Sequence, residues 1–156
     1  MIIYFDLDGV LADFERARSL HPLGGQTPYI GRPDKLPGVY ENIPPINEGL
    51  KFVKELLSDK NHEVYILSTA PWDNPEAWTH KRLWVEKYFG KSIRKRLILS
   101  HRKDLLIGDV LIDDNPWNGA KDFHGTWIHF GSAECPNWET VRSQIANLTS
   151  QAALTF

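Results

Sequence analysis

The chain has 156 residues, 42% of them hydrophobic and 24% charged, with a formal net charge of −2. That length suits one domain with a real hydrophobic core, and the balance excludes a disordered chain and a membrane protein. No broad basic footprint is present to follow a nucleic-acid backbone, and the single Cys135 rules out an intramolecular disulfide or a multi-cysteine zinc site. The chain opens on the apolar run Ile2-Ile3-Tyr4-Phe5, which reads as a buried strand of a parallel sheet. The run is too short, and lacks the basic flank, for a signal peptide, so a cytoplasmic protein is the expectation. Asp6, Leu7, Asp8 and Gly9 follow directly. Residues 15 to 45 then turn Pro- and Gly-rich, poor material for either helix or strand. A connection of that length inside a compact domain is usually functional, and it is read as a short helical start followed by a small lid.

An amphipathic helix is predicted over roughly Asn47 to Asp59, with Leu50, Val53, Leu56 and Leu57 at helical spacing. A second strand covers Glu63 to Leu67 and exits through Ser68-Thr69-Ala70-Pro71. A helix follows over about Pro75 to Phe89, stopped by Gly90. The third strand is Arg96 to Leu99, leading into the polar loop Ser100 to Asp104. The fourth is Val110 to Ile112, ending in Asp113-Asp114-Asn115. A short irregular helix near Asn118 to Phe123, a fifth strand over Thr126 to Phe130 and a last helix over about Asn137 to Leu148 complete the chain. Strands alternating with helices give an α/β fold, a parallel sheet of about five strands with helices on both faces. The core is assigned to residues 1–14 and 46–150 and the small cap to about 15–45, all in one domain.

In a parallel sheet the carboxyl ends of the strands share one edge, and ligands bind there. Asp6 and Asp8 stand at that edge after the first strand, Ser68 and Thr69 after the second, Lys103 in the loop after the third, and Asp113 and Asp114 after the fourth. Crowded acids repel each other unless a cation lies between them, and hard oxygen donors suit Mg²⁺. Several carboxylates, a hydroxyl and a lysine suit phosphoryl transfer, in which one aspartate can attack phosphorus. Taken singly, each motif has a plainer use: Asp-Gly as a turn, Lys103 as a solvated loop charge, Asp113-Asp114-Asn115-Pro116 as a helix cap. Their joint occurrence carries the functional reading.

Asp6-Leu7-Asp8-Gly9-Val10, Thr69, Lys103 and Asp113-Asp114 resemble the four motifs of the haloacid dehalogenase superfamily of phosphatases, in their usual order. Asp6 to Phe14, Trp84 to Gly90 and Lys103 to Asp114 resemble the 5'(3')-deoxyribonucleotidases more closely. The resemblance implies a Rossmann-like core and Mg²⁺-dependent hydrolysis of nucleoside monophosphates through an aspartyl-phosphate. It implies Asp6 as nucleophile and Asp8 as acid and base, with the Asp8 backbone carbonyl also facing the metal. Thr69, with the backbone at Ala70, would bind phosphate, and Lys103 would offset its charge. The metal set is Asp6, Asp8, Asp113 and Asp114, with Asp113 the expected direct ligand of the last pair. Phe14 is implied to touch the nucleoside, or else to pack under the lid. Trp72 is the best candidate for a stacking wall. The lid is much shorter than in the animal enzymes, which use theirs for aromatic contacts to the base. Another small phosphate ester, or a silent phosphate-binding regulator, is the alternative. No nucleic-acid polymer or membrane partner is expected, and a homodimer stays open.

Overall fold

A computed structural model of the protein describes residues 1–154. Five strands form one parallel sheet: β1 (Ile2–Phe5), β2 (Glu63–Ser68), β3 (Leu97–Leu99), β4 (Val110–Asp113) and β5 (Thr126–His129). Their order is β3-β2-β1-β4-β5, so the first strand lies at the centre. Among the described residues four α-helices accompany them: α1 (Phe14–Ser19), α2 (Asn47–Ser58), α3 (Pro75–Phe89) and α4 (Trp138–Leu154). The last helix runs well past the predicted Leu148. The third strand begins at Leu97, one residue after the expected Arg96, and the fourth extends to include Asp113.

The central strand explains both layers. From β1 the chain moves outward through β2 to β3, and right-handed crossovers lay α2 and α3 on one face. From β4 to β5 it moves the opposite way, which sends residues 114–125 across the other face. The helical cover is therefore unequal. Ile3, Phe5, Val64, Ile66, Val110 and Ile112 share a core with α2, α3 and α4. The alternate residues Tyr4, Leu67 and Leu111 pack under Ala120 and Phe123, where only single-turn 3₁₀ helices at Lys103–Leu105 and Ala120–Asp122 provide helical cover. Phe5 sits at the middle of the thick layer, edge-on to Phe52 and stacked with Trp138.

The cap leaves and re-enters the core through one backbone gate. Asp13 N–H donates to the Pro44 carbonyl and Ile46 N–H to the Leu11 carbonyl, both at 2.8 Å. Between them lie α1, a 3₁₀ turn at Pro33–Lys35 and a chain of tight turns. Leu36, Val39, Tyr40 and Ile43 bury themselves in the main core, so the cap is fused to it. It docks on α3 and the turn before it. Trp84 Nε1 donates to the Ile43 carbonyl, Asn74 Nδ2 to the Asp34 carbonyl, and Lys35 pairs with Asp73. No described helix is long and apolar enough to cross a membrane.

Phe5→Ala should cost about 3–5 kcal/mol of stability, because it empties a fully buried aromatic site in the central strand. Urea unfolding checks this; a loss under 1 kcal/mol would mean that the core is not organised around β1.

Candidate active site

The ladder of β1 continues one residue past the strand, where Asp6 N–H donates to the Ile112 carbonyl at 2.8 Å. The chain then coils tightly: the Leu7 carbonyl accepts from Val10, Leu11 and Ala12, and Gly9 N–H donates to the Ala12 carbonyl. Gly9 is required here twice over. Its φ is +78°, and a Cβ at this position would lie 2.2 Å from Asp114 Oδ2. The turn after β1 thus presses against the acids after β4.

Asp6, Asp113 and Asp114 each present a carboxylate oxygen within 4.8 Å of the others, with Asp6 and Asp113 buried. Lys103 is 3% exposed and sits among them, its Nζ 3.0 Å from Asp6 Oδ1 and bonded to Asp113 Oδ2. Burial works against its charge, but the carboxylates of Asp6 and Asp113 outweigh it and raise the pKa above the ordinary lysine value. The acids bear the cost of crowding. Burial first, then the charge of Asp6, pushes Asp113 up to about 7 and Asp114 up to about 6. Asp6, Lys103 and Asp113, with Asp8, Ser68, Thr69, Asn115, Trp117 and Asn118, line a polar pocket of about 200 Å³.

Asp113 and Asp114 are used differently. Both oxygens of Asp113 are engaged within the protein: Oδ2 by Lys103 and Oδ1 by the Asn115 N–H at 2.9 Å. Asp114 Oδ1 is buried with no hydrogen-bond partner. Within the pair, Asp113 is thus the more fully hydrogen-bonded, and Asp114 keeps one unpartnered oxygen. Their backbone is held from β5, by Trp127 Nε1 on the Asp113 carbonyl and the His129 ring on the Asp114 carbonyl.

The Asp8 carboxylate stands outside the acid trio. It turns to Lys81 of α3, a lysine only 1% exposed, which also donates to Ser68 Oγ at 2.9 Å and lies over the Tyr40 ring. Asp8 Oδ1 is left buried and unpartnered. Burial raises the Asp8 pKa, with Lys81 opposing and Asp6 reinforcing. Lys81 was not singled out in the sequence. One lysine in a helix rich in charge reads as solvent-facing, and only its place between Ala77 and Trp84, on the buried side, hinted otherwise.

The other candidates divide. Thr69 lines the pocket, with its hydroxyl donating to the Ser100 carbonyl at 2.8 Å, and Ala70 is buried beside it. Phe14, half-buried, stacks on Tyr40 of the cap with 5.2 Å between ring centroids. Trp72 is exposed, touches His101 edge-on and does not line the pocket. No residue of the cap lines it either. The four buried apolar residues that fuse the cap to the core set it against α3 instead. Larger hollows elsewhere, such as the one between Arg82 and Leu97, contain no comparable cluster of acids.

A parallel sheet with acids after β1 and β4 and a buried lysine bridging them fits a phosphatase core of the haloacid dehalogenase superfamily, to which the family matched by this chain belongs. Residues 31–146 match the family "5' nucleotidase, deoxy (Pyrimidine), cytosolic type C protein". A protein of Vibrio phage KVP40, provisionally named 5'(3')-deoxyribonucleotidase, is 45% identical over 150 residues, 96% of this chain and 85% of that one. A provisionally so-named Bordetella bronchiseptica protein is 32% identical over 140 residues, 74% of this chain and 75% of its own. The human 5'(3')-deoxyribonucleotidase, cytosolic type, is 26% identical over 162 residues, 86% of this chain and 81% of its own. The chain belongs to the 5'(3')-deoxyribonucleotidase family.

A carboxyl whose folded pKa is raised favours folding when protonated. For Asp114 that contribution is present below about pH 4 and is lost as pH rises through about 6. In chelated protein, Asp114→Asn should therefore gain stability over the wild type as pH rises from 4 to 6, with the gap level above. Thermal unfolding across that range checks it; a constant gap, or one of opposite sign, would contradict a carboxyl raised by burial and by Asp6.

Proposed function

We propose that this chain is a Mg²⁺-dependent phosphomonoesterase of deoxyribonucleoside monophosphates that works through an aspartyl-phosphate on Asp6. Family membership makes it a nucleotidase, a hydrolase acting on phosphoric monoesters. The observation that carries the finer reading is the single polar pocket holding Asp6, Asp8, Thr69 and Lys103 beside Asp113.

The donor set fits a hard dication. Three carboxylate oxygens converge, and the buried Asp114 Oδ1 lacks any partner. Asp6 and Asp114 would hold the ion directly, with the Asp8 carbonyl as the family pattern has it, while Asp113 fixes Lys103 and the turn at Asn115. When bound, Mg²⁺ neutralises charge on the phosphoryl oxygens.

The chain's own groups supply the rest. Asp6 attacks phosphorus in line, the phosphorus–ester oxygen bond breaks, and the departing alkoxide takes a proton from Asp8. Burial raises the Asp8 pKa toward that of an acid able to give a proton, and Oδ1 is left without a partner while Oδ2 is held by Lys81. Water then attacks the phosphoryl group, gives its proton back to Asp8, and the bond to Asp6 breaks to release phosphate. Thr69 and the backbone at Ala70 seat the phosphoryl oxygens, and Lys103 offsets their charge. Lys81 orients Asp8 without reaching the ester. No further role is assigned to Phe14, which packs on Tyr40.

Asp6→Asn should abolish turnover with the fold intact by circular dichroism. Asp8→Asn should cost about 10²–10⁴-fold on a deoxynucleoside monophosphate, whose alkoxide needs the proton. It should cost far less on an aryl phosphate with a good leaving group. Equal losses on both esters would remove Asp8 from the acid role, and an active Asp6→Asn would remove the covalent route.

A further inference from the structure

The chain has six tryptophans, and the structure uses them unequally. Trp84 and Trp138 are buried, and Trp78 and Trp127 are half-buried. Trp72 and Trp117 stand in solvent, 79% and 70% exposed. They sit in the loops after β2 and β4, the strands on either side of β1, so they flank Asp6. Their surroundings differ. Trp72 already meets His101, which in turn meets Trp78. Trp117 lines the same pocket as Asp6, Thr69 and Lys103, and its indole meets no other ring among the described residues.

The loop holds that indole outward rather than letting it collapse. Asn118 and Gly119 both adopt positive φ, +54° and +81°. Asn is among the few residues with a side chain that tolerate that region, and two in succession fix the path of the chain. The Asn118 carbonyl accepts the Lys103 N–H at 2.7 Å, which ties the loop to the buried lysine of the site. Asp104 Oδ1 occupies the space where a Cβ on Gly119 would be, 2.2 Å away, so the fit there is close. The Trp117 carbonyl accepts from Ala120. An exposed aromatic on a fixed loop is a preformed surface for a flat ligand.

The pocket decides which part of the ligand that is. At about 200 Å³, and lined almost wholly by polar side chains, it suits a phosphoryl group but not a whole nucleotide. The nucleoside must extend out of it, and among the lining residues Trp117 is the exposed aromatic one, while no cap residue is in the lining. We propose that Trp117 is the nucleobase platform: its indole face stacks the base of the nucleoside monophosphate whose phosphate sits over Asp6. This rests on the nucleotidase reading above. It makes base recognition a property of the loop after β4 instead of the cap. Every base has a π-face, so a platform of this kind selects for the presence of a base more than for its identity.

The test compares kcat/KM on deoxyuridine 5'-monophosphate with kcat/KM on deoxyribose 5-phosphate, which has the same sugar and phosphate and no base. The wild type, Trp117→Ala, Trp117→Phe and Trp72→Ala are measured with Mg²⁺. The wild type should prefer the nucleotide. Trp117→Ala should lower the nucleotide-to-sugar-phosphate ratio by about ten-fold or more, chiefly through KM, as loss of one base–aromatic stack implies. Trp117→Phe should keep most of the ratio, and Trp72→Ala should lower it less than Trp117→Ala does. A ratio unmoved by Trp117→Ala, a Phe variant as impaired as the Ala variant, or a wild type that treats the two esters alike would overturn the platform and leave a phosphatase. A wild type that hydrolyses neither ester would overturn the nucleotidase reading and the platform with it.

Discussion

Mutual repulsion among Asp6, Asp113 and Asp114 is the constraint on which the rest of this structure depends. Three carboxylates within 4.8 Å, two of them buried, resist folding together at neutral pH unless positive charge is supplied. Lys103 supplies part of it from within the chain, pairing with Asp6 and Asp113 and leaving Asp114 Oδ1 unmatched. What remains is a concentrated negative charge beside a small polar pocket lined by Asp6 and Asp113. A hard dication, and then a phosphate dianion drawn by it, would satisfy that charge.

The fold exists to force this crowding. β1 lies at the centre of the sheet, flanked by β2 and β4, so residues from the ends of three neighbouring strands converge without any long loop. Gly9 lets the turn after β1 press against Asp114, and the Trp127 and His129 side chains of β5 grip the Asp113 and Asp114 carbonyls from the other side. A second charged contact, Lys81 with Asp8, separates the fourth carboxylate from the trio. The two buried lysines thus divide the acids: Lys103 pairs with Asp6 and Asp113, and Lys81 with Asp8.

Much of this was legible in the residues. An apolar tetrad followed by Asp6-Leu7-Asp8-Gly9 marks a buried strand that ends in paired acids, and parallel topology then requires the later strand ends to meet them. The spans of α2 and α3, and the Gly90 stop, followed from periodicity and capping. Other features depend on atoms that sequence spacing does not rank. Asp113 and Asp114 are adjacent and chemically identical, and only the hydrogen bonds from Lys103 and Asn115 show which one is already engaged. Lys81 was missed because burial of a helix lysine depends on a partner 73 positions earlier. The cap's docking on α3 came from Leu36, Val39, Tyr40 and Ile43, which lie in a Pro- and Gly-rich stretch with no periodic pattern to reveal them. Trp72 and Trp117 look alike in the chain, and only the lining of the pocket separates them.

The central claim is that residues from different strand ends share one divalent ion. Titrating the protein with Mn²⁺ and following free ion by electron paramagnetic resonance measures this directly. One site per chain in the wild type, displaced by Mg²⁺ and lost in both Asp6→Asn and Asp114→Asn, is the predicted result. Binding that survives either substitution would contradict the account.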